Sequence, residues 1–210
     1  MKDKKMLNRK NTKPPTEKQL AHQMKWKLAS QFAAKFADAL VFVKQYNKKK
    51  RWERSDLMRH LMNSAIVGTY PDITVDYSKV AMSNGYLGMY WNFKGCLSET
   101  GFLNIIMIPC PGDSHGVICD TIILCVYDSD TDTSQCFKQE IDRYDSEFSI
   151  QLPSYRRGSR YHLWLFEASR VSRVMGETYY IKLATSYELG TGVRVLSPLQ
   201  IYIKKLELKS

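Results

Sequence analysis

Four stretches of this 210-residue chain carry residues that could do chemistry. In PCPGDSHG, Cys110 and His115 place a thiol and an imidazole on one turn, the pair used by thiol nucleophiles and by zinc sites. In DSDTDT, Asp128, Asp130 and Asp132 alternate as the first oxygen ligands of a calcium loop do. In QEIDRYDSE, Glu140, Asp142, Asp145 and Glu147 offer carboxylates, and in NKKKRWER the run Lys48, Lys49, Lys50, Arg51 and Trp52 offers phosphate contacts beside one aromatic ring.

The first three fail on spacing. The five cysteines form no CxxC pair, and the four histidines (His22, His60, His115, His162) do not complete a zinc set. Counting from Asp128, Thr133 stands where a calcium loop needs Gly and Gln139 where it needs Glu, so DSDTDT reads as a polar hairpin turn. The carboxylates of QEIDRYDSE read as a solvated hairpin face, and no GxSxG, Walker, HExxH or dinucleotide pattern occurs. No catalytic, cofactor-binding or metal-binding residue is therefore assigned, and the chain is expected not to be an enzyme.

The basic run survives as a candidate because of the charge around it. Residues 1–54 hold sixteen Lys and Arg against four acidic residues, a local +12 within an overall +10. The remaining residues are nearly neutral. Such asymmetry fits contact with an anionic partner or a solvated face that a partner later covers, and with Trp52 as its lone aromatic the basic turn reads first as a solvated loop between helices and second as a nucleic-acid contact.

Stepping outward, two helices must carry this run. Pro14 and Pro15 precede Thr16, which with Gln19 forms a capping-box pattern that starts a helix at Glu17. Leu20, Met24, Leu28, Phe32, Phe36 and Leu40 then recur every fourth residue, with Ala29, Ala33 and Ala37 widening the stripe. The pattern predicts one helix of roughly 30 residues, about 45 Å long, part of which projects beyond its own body. After the basic turn, SDLMRHLMNSAIVGTYP predicts a second helix capped by Ser55 and stopped by Gly68 and Pro71. Residues 1–15 read as a disordered or extended basic N-terminus, 16–70 as a helical hairpin and 71–210 as a β-sandwich domain.

That domain changes texture to short apolar or alternating runs. YLGMYWNF, FLNIIMIP, TIILCVY, SQCFKQEI, EFSIQLP, YHLWLFEA and TYYIKLAT are seven candidate strands separated by turn residues. The expected fold class is α+β, with an Ig/fibronectin-III-like antiparallel β-sandwich after the hairpin. LPSYRRGSRYHLWLF has the shape of a tyrosine corner, with Tyr161 tying the turn to backbone upstream. The final VRVLSPLQIYIKKLELKS reads as an edge strand or bulge because of Pro198, and is expected to fold back on its own sheet.

The segments KPPTEKQLAHQMKWKLASQF, VGTYPDITVDYSKVAMSNGYL and FSIQLPSYRRGSRYHLWLF together resemble a bacterial family of domains of unknown function. Its members carry a KPPTxKQLAxxxKF-like helix start, a GTYPxxxxDYSKVxxSxG segment and an LP…Y strand corner. The resemblance covers roughly residues 13–185 and implies no activity. Typical members begin with a Gly-rich segment of the kind GKVGNVVGY, and here MKDKKMLNRKN stands in its place.

With no apolar run of spanning length and no signal-peptide pattern, a cytoplasmic protein without membrane contact is expected. The odd cysteine number fits a reducing compartment. The expected function is that of a non-enzymatic structural or interaction protein whose helical arm docks on a protein partner or another copy. The alternative is a protein that binds nucleic-acid phosphates through the basic arm.

Overall fold

The computed structural model describes residues 14–46, 53–85, 91–109, 121–141, 145–169 and 173–184. Helices come first and mainly antiparallel sheets follow, an α+β arrangement. Helix α1, Glu17–Lys35, starts on the capping box: the Thr16 N–H donates to Gln19 Oε1 at 2.9 Å, and the Gln19 N–H donates to Thr16 Oγ1 at 3.4 Å. These bonds satisfy two of the N–H groups that a helix start leaves without partners.

The expected single helix is broken at Phe36 (φ −101°, ψ 28°), and α2, Ala37–Tyr46, continues from there. The break has a tertiary cause. The Ser134 hydroxyl, reaching in from a strand, donates to the Lys35 carbonyl at 2.6 Å, and a side chain inserted into the helical ladder bends it.

Helix α3, Arg54–His60, begins after Glu53 instead of at Ser55, with the Glu53 N–H donating to Asp56 Oδ2 at 3.0 Å. One π-helical turn, Leu61–Ala65, ends it. Ile66 and Val67, expected in the helix, instead open β1 (Ile66–Thr69), which pairs with β2 (Asp72–Val75) in a hairpin. The reversal needs Gly68, at φ +93°, because a Cβ there would strike the Asp72 carbonyl oxygen.

The remaining strands are β3 (Trp91–Leu97), β4 (Phe102–Pro109), β5 (Thr121–Asp128), β6 (Thr133–Glu140), β7 (Glu147–Gln151), β8 (Tyr161–Ser169), β9 (Val174–Ile181) and β10 (Leu183–Ala184). They form two sheets ordered β10-β3-β4-β7 and β6-β5-β8-β9, antiparallel except where β10 meets β3. Each of the seven candidate runs overlaps one of the strands β3 to β9, and residues 86–90 of the first run lie outside the described residues. The β1–β2 hairpin is an addition, and the run TYYIKLAT divides between β9 and β10.

Residues of both sheets share one aliphatic layer that includes Leu103, Ile105 and Met107 of β4, Ile122, Leu124 and Val126 of β5, and Leu163 and Leu165 of β8. The opposite face of β5 and β8 carries Ile123, Cys125, Tyr127, Trp164 and Phe166, and the helices cover it with Ala29, Phe32, Ala33, Phe36, Ala39 and Val43. Every residue of β5 is consequently buried, which is why its sequence shows no alternation. The helical stripe is spent here from Ala29 onward.

Candidate functional site

The densest group of side chains lies where the helices meet the β6-β5-β8-β9 sheet. Asp76 caps a 3-10 turn, Tyr77–Lys79, by accepting from the Ser78 N–H and hydroxyl at 3.2 and 2.6 Å, and its other oxygen meets Lys79 Nζ at 2.9 Å. These donors hold its carboxyl below the usual carboxylate range. The turn thrusts the Tyr77 ring into the aromatic layer. There it stacks on His162 with centroids 3.9 Å apart and approaches Phe32, Tyr127 and Trp164. Trp164, fully buried, donates its indole N–H to the Tyr77 carbonyl at 3.0 Å. His162 Nδ1 lies 2.9 Å from the Tyr180 hydroxyl. Burial, then the Arg160 charge, holds the imidazole below its ordinary pKa, against an opposing pull from Asp130.

The three aspartates of DSDTDT sit at one end of this layer, and each is engaged by the protein. Asp128 Oδ1 accepts from the N–H groups of Asp130 and Thr131 at 2.9 and 3.3 Å. Asp130 receives the Arg160 guanidinium at 2.6 and 2.9 Å on Oδ1 and the Arg160 N–H at 2.9 Å on Oδ2. Asp132 receives Lys35 Nζ at 2.5 Å and the Tyr127 hydroxyl at 2.6 Å. Hydrogen bonds from Arg160 and from Lys35 hold Asp130 and Asp132 below the usual carboxylate range, while burial and Asp132 push the Tyr127 phenol far up. The turn is a clamp. It ties α1 to the β5–β6 hairpin and the hairpin to β8. Among the described residues no group of three or more His, Cys, Asp or Glu is placed to hold a metal ion.

At the start of β8 the Tyr161 hydroxyl accepts from the Arg156 N–H at 2.7 Å and donates to the Arg156 carbonyl at 3.3 Å. Tyr155 stacks on Tyr161 and presses against Gly101, where a Cβ would come within 2.7 Å of the Tyr155 ring base. Gly101 also has φ +84°, so the corner and the β3–β4 turn fit only with glycine there. Beneath lies a cleft of about 10 Å³ lined by Val126, Asp128, Thr133, Gln135, Leu152, Ser154 and Tyr161, too small for an organic substrate.

Lys48, Lys49, Lys50, Arg51 and Trp52 lie outside the described residues, as do Cys110, His115, Asp142 and the stretch around Pro198. Glu140 ends β6, Glu147 begins β7, and Asp145 falls just before it. Sequence reasoning passed over Tyr77, His162 and Tyr180. The alternation of YHLWLF, placing His162, Trp164 and Phe166 on one face, was the available signal.

A family model described as a family of unknown function (DUF6266) matches residues 3–181. The chain belongs to this family. Among curated proteins none matches it. In this DUF6266 chain the segments that carry the resemblance have structural roles: KPPT with Gln19 caps α1, GTYP turns the β1–β2 hairpin, DYSK seats Tyr77, and LPSYRRGSRY builds the corner. No described helix is long and apolar enough to cross a membrane.

Proposed function

We propose that this DUF6266 protein is a non-enzymatic structural or interaction protein whose helical arm joins copies of the chain. One observation carries the reading: α1 is largely exposed over its first part. It has no fully buried residue before Ala29, while Met24 and Trp26 remain 36% and 54% exposed. Large apolar side chains left open on a helix are natural docking points for a second copy. The β domain serves as scaffold. Its finer description as an Ig/fibronectin-III-like sandwich is supported by the shared aliphatic layer, by the chain's repeated crossing between the two sheets, and by the corner bonds of Tyr161.

Size-exclusion chromatography with light scattering, read at two absorbance wavelengths on the full chain prepared without nuclease, tests this. The expected result is a discrete multiple of the 24.4 kDa chain, free of nucleic acid. Met24→Asp with Trp26→Ser returns it to monomer, whereas charge reversal at Lys48, Lys49 and Lys50 leaves it assembled. Phe32 is unsuited to the test because it belongs to the chain's own core. A monomeric wild type ends the reading.

A second reading rests on the +12 of residues 1–54. Lys48, Lys49, Lys50 and Arg51 would contact phosphates and Trp52 would stack on a base, with binding that weakens steeply as salt rises. A monomer that elutes with nucleic acid favours it.

A further inference from the structure

We propose that Cys125 and Cys136 form a reversible cross-strand disulfide, making the β5–β6 hairpin a redox-modification site. The two residues are direct partners in the antiparallel register, and their sulfurs lie 3.0 Å apart. Opposed residues in such a pair have Cα atoms about 4.5–5.5 Å apart, inside the range a disulfide spans, so the bond forms with side-chain rotation and little backbone movement. Each sulfur is the other's neighbour by construction: the hairpin pairs Asp128 with Thr133, and three residues outward on either strand stand the two cysteines. Cys96, the remaining cysteine among the described residues, lies in the other sheet.

The two thiols have unequal access. Cys136 is partly exposed on β6, an edge strand, and Cys125 is fully buried under the helices. Burial pushes the Cys125 thiol well up, so Cys136 reacts first. With a small oxidant of the disulfide class, such as oxidised glutathione, the Cys136 thiolate attacks one sulfur and expels one glutathione thiolate. Cys125 then gives its proton to solvent, and its sulfur attacks Cys136 Sγ, expelling the second thiolate. Two protein thiols are oxidised and one small disulfide is reduced to two thiols. The product cross-links the sheet that carries the helical arm, and by restricting the unfolded chain it raises the unfolding midpoint.

The test uses the full wild-type chain. After incubation with oxidised glutathione, free thiols are alkylated in denaturant and the protein is digested without reduction for mass spectrometry. The expected result is a Cys125–Cys136 linked peptide from a monomeric band, a loss of two hydrogens in intact mass, and a higher urea midpoint that dithiothreitol reverses. In Cys136→Ser the link and the redox-dependent midpoint both disappear. Replacing Cys96, Cys110 and Cys119 together by Ser leaves the link intact. Full alkylation of both Cys125 and Cys136, glutathione retained on Cys136, or a link made by other cysteines would each overturn the proposal.

Discussion

The two sheets of this molecule share one aliphatic layer, yet their other faces meet opposite surroundings. The outer face of β6-β5-β8-β9 is roofed by α1, α2 and the Tyr77 turn, and it is aromatic: Phe32, Phe36, Tyr77, Tyr127, His162 and Trp164 form a chain of ring pairs with centroids 3.9 to 6.4 Å apart. The outer face of β10-β3-β4-β7 has no such roof among the described residues, and β4 alternates, with Leu103, Ile105 and Met107 inward while Phe102 and Ile108 stay 45% and 39% exposed. The difference teaches how a helical arm becomes part of a β domain. Aromatic rings between the helices and the sheet add edge-to-face contacts, whereas the fully buried residues that the two sheets share are aliphatic.

Breaking the roof should have the largest effect. Trp164→Ala is expected to cost about 3–5 kcal/mol, and Ile105→Ala in the inter-sheet layer about 2–5 kcal/mol. Urea denaturation followed by both far-ultraviolet dichroism and aromatic fluorescence checks this. A single shared transition in both variants means that roof and sheets unfold together. Separate transitions in Trp164→Ala would reduce the helices to an attachment. Tyr161→Phe removes the two corner bonds from an exposed turn and should cost about 1 kcal/mol, seen as a small shift of midpoint with unchanged slope.

A pH-dependent effect sharpens the comparison further, because His162 belongs to the roofed face. Its imidazole titrates below its ordinary value of 6.5 in the folded chain, so the unfolded chain binds that proton more readily. The stability it contributes is complete above the unfolded pKa and is lost as pH falls below it. His162→Gln should flatten the fall in urea midpoint between about pH 7 and pH 5. An unchanged pH profile would show that the histidine is not held neutral. On the open face Phe102→Ser should move stability by no more than about 0.5 kcal/mol. A larger loss would mean that something covers that face.

Much of the architecture was legible in the residues. The capping box at Thr16 and Gln19 is a local interaction, and it sits where the pattern placed it. The seven strand runs were legible because β-branched and aromatic residues between turn signals need no distant partner to be recognised. The break at Phe36 was not, because its agent, Ser134, is 99 positions from the carbonyl it takes. The hairpin after Ala65 was missed because Leu57, Leu61, Met62, Ala65 and Ile66 satisfy a helical period, while the Gly68 reversal depends on the approach of Asp72. Likewise, the cysteines read singly as small buried hydrophobes. Only the hairpin register sets Cys125 against Cys136.

By itself the sequence determined the order of helices before strands, the helix start, the basic character of residues 1–54 and the family, since these depend on composition, period and contacts a few residues apart. Tertiary structure alone decided that the helical stripe is used on the chain's own sheet from Ala29 onward and that Asp130 and Asp132 of DSDTDT bind Arg160 and Lys35. The reason is physical. An apolar stripe or a carboxylate declares what kind of partner it needs, and only the folded chain supplies the particular one.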